Sequence, residues 1–174
     1  MTAPSTDQNT LITPYGGALV NLLVAGDERA ALIAEAGHLP TLQLSARALC
    51  DLELIATGGF SPLDRFMGQA DYERVLGEMR LADGTLFPLP ITLTAKRDAI
   101  PSGTRRLALR DARNNLLAVM DLDEVFAWDP KTEAAQALGT TDARHPLVSE
   151  MIRWGDVCVS AARLVSSSWM RCSG

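Results

Sequence analysis

Hydrophobic positions along this chain switch between helical and alternating spacing several times. Leu32, Ile33 and Ala36 share one face of "ERAALIAEA", predicting a helix over 28–36 that Asp27 caps and Gly37 ends. "LPTLQL" alternates Leu42 and Leu44 around Gln43 and predicts a brief strand. Ser45 then caps a clearer helix over 46–57, with Leu49, Leu52, Ile55 and Ala56 at helical spacing and Gly58 as the left-handed exit. A third helix over about 70–79 carries Tyr72, Val75, Leu76 and Met79 on its apolar face. Between these two helices, "GGFSPLDRFM" is unusually apolar for a loop. Phe60, Leu63, Phe66 and Met67 are read as a plug for one side of the core, or failing that as a surface facing a neighbouring domain.

The spacing changes after residue 80. Asp83-Gly84 signals a hairpin turn, and Ile91 and Leu93 alternate with Thr92 and Thr94 in a strand that Pro88 and Pro90 should place at an edge. Arms at 104–110 and 116–127, joined at "DARNN", predict a second hairpin, with Leu107 and Leu109 facing opposite to Arg106, Ala108 and Arg110. Asp129-Pro130 opens a helix to Leu138, closed by Gly139. Pro146 opens a last helix with Leu147, Met151 and Trp154 on one side. "DVCVS" predicts a final strand, and the residues after it lack a period. The order favours an α+β domain built on an antiparallel sheet or small barrel.

Composition narrows the function classes. A chain of 174 residues with 47% hydrophobic and 21% charged residues suits one globular domain. No apolar run is long enough to span a bilayer, and "MTAPSTDQNT" has no basic start or apolar stretch, so it reads as a polar tail and not a secretory signal. A net charge of −5 argues against nucleic acid, whose phosphates call for a basic field. Cys50, Cys158 and Cys172 make neither a disulfide framework nor a zinc site and suggest reduced thiols in the cytoplasm. His38 and His145 have no neighbouring ligand-type residue.

Two clusters could carry chemistry. Arg106 and Arg110 share a face and could hold an anion, but pairing with Asp111 or with the 121–124 carboxylates is the stronger reading. In "DLDE", alternation sends Asp121 and Asp123 to one side and Glu124 to the other, so the three do not converge on a metal. Cys50 reads as a small core residue. There is no GxxxxGK[ST] loop, GxGxxG turn, GxSxG elbow or HExxH pair.

Four phrases in one order carry more information. "PYGGALVNLL" (14–23), "LSARALCDLELIATGGFSPLDRFMGQADYERVLGEMRLADGTLFPLPITL" (44–93), "PSGTRRLALRDARNNLLAVMDLDEVFAWDP" (101–130) and "LGTTDARHPLVSEMIRWGDV" (138–157) together resemble the N-terminal domain of ATP sulfurylase, or sulfate adenylyltransferase. The resemblance covers about 11–160. It implies a PUA-like β-barrel decorated with short helices, preceding a separate catalytic domain. In that family the full enzyme transfers the adenylyl group of Mg-ATP to sulfate, giving adenosine 5′-phosphosulfate and pyrophosphate. The family's Gln-x-Arg-Asn-Pro-x-His-x-x-His signature belongs to the catalytic domain, and this sequence has neither Asn-Pro nor HxxH. The resemblance therefore assigns no catalytic, cofactor-binding or metal-binding residue to this chain, and no cofactor.

Two departures from the family pattern stand out. Tyr15 replaces the histidine that often precedes the first Gly-Gly pair, and the match fades after "GDVCVS". The expected layout is a disordered tail over 1–10, a PUA-like domain over 11–160 and an atypical tail over 161–174, as from a shifted frame or truncated gene. The expected function is that of a non-catalytic, cytoplasmic domain whose partner is the ATP-sulfurylase catalytic domain, with a homo-oligomer open. Whether an adenylylsulfate kinase domain belongs with it is open too. The alternatives are a stand-alone PUA-like module binding RNA or protein, and an enzyme with an unrecognised site.

Overall fold

Local sequence decides most of the helix boundaries in the computed structural model, which describes residues 12–166. Helix α2 (Ala46–Thr57) begins at Ser45, whose Oγ accepts the Ala48 N–H, and it ends at Gly58, whose φ of +84° is left-handed. Helix α4 (Pro130–Ala137) begins at Asp129, whose carboxylate accepts the N–H groups of Lys131 and Thr132, with proline at the first helical position. Helices α3 (Gln69–Glu78) and α5 (Pro146–Met151) lie where periodicity places them. Helix α1 (Gly26–Ala36) starts earlier than expected. Ala25 holds the cap position, and Asp27 sits within the first turn, where its charge complements the helix dipole instead of capping the end.

The five strands are β1 (Thr41–Gln43), β2 (Leu93–Ala95), β3 (Arg106–Arg110), β4 (Leu116–Ala127) and β5 (Val157–Ser166). They form one curled half-barrel sheet in the order β1-β3-β4-β5-β2. Register shifts between β4 and β5 near Leu122 bend these long strands. The β3–β4 hairpin and the edge position of β2 follow the sequence pattern. One pair does not: β1 lies parallel to β3, with Leu42 opposite Leu109. Between them the chain runs through α2, α3 and β2, a crossover long enough to make parallel pairing possible.

Strand β5 is also longer than expected. Ala161–Ser166 continue it, pairing with β4 as far as Ala118 opposite Ser166. The expected tail over 1–10 lies outside the described residues, as do residues 167–174 of the other one.

Alternation on the sheet makes two apolar clusters. Leu107 and Leu109 of β3 enter the main core, whereas Ala108, pointing the other way, is buried with Leu32, Ala36, Val119 and Val165 beneath α1. Ile33 turns outward and is 43% exposed, because only the Leu32–Ala36 edge of α1 meets the sheet. Met79 is likewise 55% exposed: it is the left-handed cap of α3, beyond the helical stripe. In the last helix Val148 and Met151 are the buried pair, and Leu147 is half-buried.

The apolar loop after α2 is a core plug. Phe66 and Met67 are 0% and 1% exposed, and Leu63 is buried with them. The turn is set by glycine: a Cβ on Gly58 would stand 2.4 Å from the Val20 carbonyl oxygen. Ser61 locks it, donating from Oγ to Gly58 O (2.8 Å) and accepting the Val20 N–H (3.1 Å). Met67 N–H donates to Ile91 O (3.0 Å), tying the loop to the approach of β2.

Candidate functional site

Helices α2, α4 and α5 do not close completely over the main core. With the segment Phe87–Ile91 they leave a cleft of about 440 Å³. Its walls are Phe60, Phe87, Leu138, Leu147 and Met151, and Pro88, Leu89 and Pro90 form one lip. Trp154, just past α5, stacks on Trp128 at 6.0 Å between ring centroids, their planes 17° apart.

Charged groups lie in these apolar surroundings. Arg47 of α2 sits over the Trp154 ring, 4.1 Å from its centroid, and its Nε is 3.5 Å from Asp51 Oδ2. Asp51 is one helical turn further along the same face and only 9% exposed. Its Oδ2 accepts no hydrogen bond among the described residues. Burial pushes the Asp51 carboxyl above its ordinary range, outweighing the pull of Arg47. Glu133 of α4, 4% exposed, is the second carboxylate, and its Oε2 accepts the Trp128 Nε1–H at 2.5 Å. Beneath it, burial first and the Glu133 charge second hold the Tyr72 hydroxyl protonated and push the Cys158 thiol up to about 12. That thiol stays neutral and behaves as a small core group.

The cleft was not visible in the sequence because its groups come from four separate segments. A partial signal existed. Asp51 stands in line with Ala48, Leu52 and Ile55, and Glu133 adjoins buried Ala134, so each is a charge on an apolar helix face.

Several of the residues singled out in the sequence are tied into the fold. Arg106 forms ion pairs with Glu35 and with Asp121, the latter at 2.5 Å. Arg110 donates to the carbonyls of Asn114 and Ala36. Asp111 accepts three hydrogen bonds, from the Asn115 side-chain amide first and then the backbone N–H groups of Asn115 and Arg113, which hold its carboxyl below the usual range against the opposing effect of burial. Glu124 accepts the Gln69 N–H (2.8 Å) and so binds the start of α3, while Asp123 faces solvent. The "DLDE" carboxylates thus diverge, and among the described residues no group of three or more metal-ligating side chains converges. Tyr15 donates from its hydroxyl to Leu86 O (2.8 Å). Cys50 is half-buried, and His38 and His145 are exposed. No helix among the described residues is long and apolar enough to cross a membrane.

A family model described as a PUA-like domain matches residues 12–162. The chain belongs to that family. Within it, this PUA-like domain is 46% identical over 151 residues to the sulfate adenylyltransferase of Symbiobacterium thermophilum, covering 85% of this chain and 38% of that protein. It is 46% identical over 142 residues to the sulfate adenylyltransferase of Mycosarcoma maydis, covering 78% of this chain and 25% of the relative. A solved structure titled hexameric APS kinase from Thiobacillus denitrificans superposes with a TM-score of 0.69 at 34% identity, covering 93% of this chain and 28% of that one. The chain therefore spans well under half the length of these curated relatives, 38% of one and 25% of the other.

Proposed function

We propose that this PUA-like domain is the non-catalytic N-terminal module of a sulfate adenylyltransferase, working beside a catalytic domain that transfers the adenylyl group of Mg-ATP to sulfate. The observation that carries the reading is the 151-residue match at 46% identity to a stretch making up 38% of a sulfate adenylyltransferase. The site chemistry fits. Adenylyl transfer places negative charge on the phosphoryl oxygens and on the departing pyrophosphate, which is stabilised by converging cationic and hydrogen-bond donors. Here Arg106 and Arg110 are tied to protein carboxylates and carbonyls, and the cleft holds two carboxylates that repel a triphosphate. Mg-ATP is then a substrate of the whole assembly and not a ligand of this chain, whose part is to support its partner.

Reconstitution tests this. The remainder of the Symbiobacterium thermophilum relative, lacking its matching 151 residues, is expressed alone and together with this chain. The expected result is that the chain raises recovery and sulfate-dependent pyrophosphate release of the catalytic part, while releasing none itself. Turnover by the chain alone, or no effect on the partner, would contradict the proposal.

The stand-alone RNA-binding reading expects a basic face, and the net charge of −5 opposes it. Saturable RNA retention at physiological salt would revive it.

A further inference from the structure

The cleft between α2, α4 and α5 combines features that core packing alone does not require. Its volume of about 440 Å³ falls in the range of small-molecule sites, roughly 300–1,000 Å³. One lip is stiffened by Pro88 and Pro90, whose backbones are already restricted. Its contents are unbalanced in charge. Arg47 is the cation among the lining side chains, against the carboxylates of Asp51 and Glu133. Arg47 is committed to the Trp154 face and approaches Asp51 only to 3.5 Å. Asp51 Oδ2, buried in the cleft wall, accepts no hydrogen bond among the described residues. A carboxylate oxygen in such a place costs stability until a donor reaches it.

We propose that the cleft binds a small molecule carrying a protonated amine on a flat apolar body. The body lies between the Phe60–Phe87 wall and Leu138, Leu147 and Met151, and the ammonium group donates to Asp51 and meets the charge that Glu133 leaves uncompensated. An anionic ligand of the same shape is rejected by the same two carboxylates. The proposal does not depend on the adenylyltransferase reading, since it concerns only this chain's own side chains.

Phenethylamine and 3-phenylpropionate, nearly matched in size and opposite in charge, are suitable probes. Each is titrated into the intact chain while the indole N–H resonances of Trp128 and Trp154 are followed by NMR. Phenethylamine is expected to give saturable shifts with a Kd on the order of 0.1–1 mM, normal for so few atoms. 3-Phenylpropionate should bind at least about tenfold weaker, the sign of a site chosen by charge. Asp51→Asn keeps the shape and should weaken phenethylamine about tenfold. Ala137→Phe narrows the cleft from α4 without touching either carboxylate and should abolish binding, so the outcome does not rest on one variant folding. Equal binding of the two probes, unchanged affinity in Asp51→Asn, or shifts that never saturate would overturn the proposal.

Discussion

The plug formed by Leu63, Phe66 and Met67 and the cleft around Asp51 both depend on helix α2, yet they solve opposite problems. At the plug, the chain leaves α2 through a left-handed glycine and buries Leu63, Phe66 and Met67, with Phe60 half-buried at the cleft wall, while Ser61 satisfies the turn. At the cleft, the same helix carries a carboxylate into apolar surroundings and leaves one oxygen without a hydrogen bond among the described residues. A sequence shaped by stability alone would put an apolar side chain at residue 51, since buried ion pairs often gain nothing over well-packed hydrophobic groups. The plug holds the fold together. The cleft gives up part of that stability, and the natural reason is a ligand.

Substitutions can break this contrast, and the largest effect belongs to the plug. Phe66→Ala should cost about 3–5 kcal/mol, because a fully buried ring is lost and rigid neighbours leave a cavity. Urea denaturation should show a lower midpoint with the slope preserved, and an effect under about 1 kcal/mol would remove Phe66 from the core. Gly58→Ala should cost roughly 1–3 kcal/mol, since the new methyl meets the Val20 carbonyl and the residue must hold a φ of +84°. A thermal midpoint unchanged from the wild type would contradict that geometry.

The cleft should respond with the opposite sign. Asp51→Asn is expected to stabilise the free chain by about 1 kcal/mol at neutral pH, by removing a buried charge without a full complement of donors. The pH dependence sharpens this. Burial raises the folded-state pKa of Asp51 above its unfolded value, so the folded chain holds that proton more tightly. The associated stability is fully present below the unfolded pKa and is lost as pH rises through the folded one. The advantage of Asp51→Asn should therefore be near zero below about pH 4 and grow toward neutrality. A gain constant across that range would show that charge is not its cause. The smallest change, Ser45→Ala, removes the α2 cap that both regions share and should cost about 1 kcal/mol by the same urea assay.

What could be read in the sequence follows the range of the forces involved. Caps at Ser45, Gly58 and Asp129 act over a few residues, and the structure has them where the sequence places them. The β3–β4 hairpin is equally local. The parallel pairing of β1 with β3 is not, because it depends on a crossover of more than sixty residues whose path no local pattern encodes. The extension of β5 to Ser166 was missed for a related reason: its outer residues, including Ala162 and Arg163, interrupt the apolar alternation, and pairing with β4 supplies the order. Among candidate site residues, Arg106 with Asp121 was legible because strand neighbours meet by register. The cleft was not, because Arg47, Asp51, Glu133 and Trp154 meet only after three helices pack.

On the proposed function, this PUA-like domain supports sulfate adenylation without itself holding the nucleotide. Calorimetric titration of the chain with Mg-ATP, in the presence of sulfate, tests it most directly. No saturable heat is expected into the millimolar range, because Arg106 and Arg110 are engaged with the protein and the cleft carries two carboxylates against one guanidinium. One-to-one binding with a Kd below about 100 μM would contradict it.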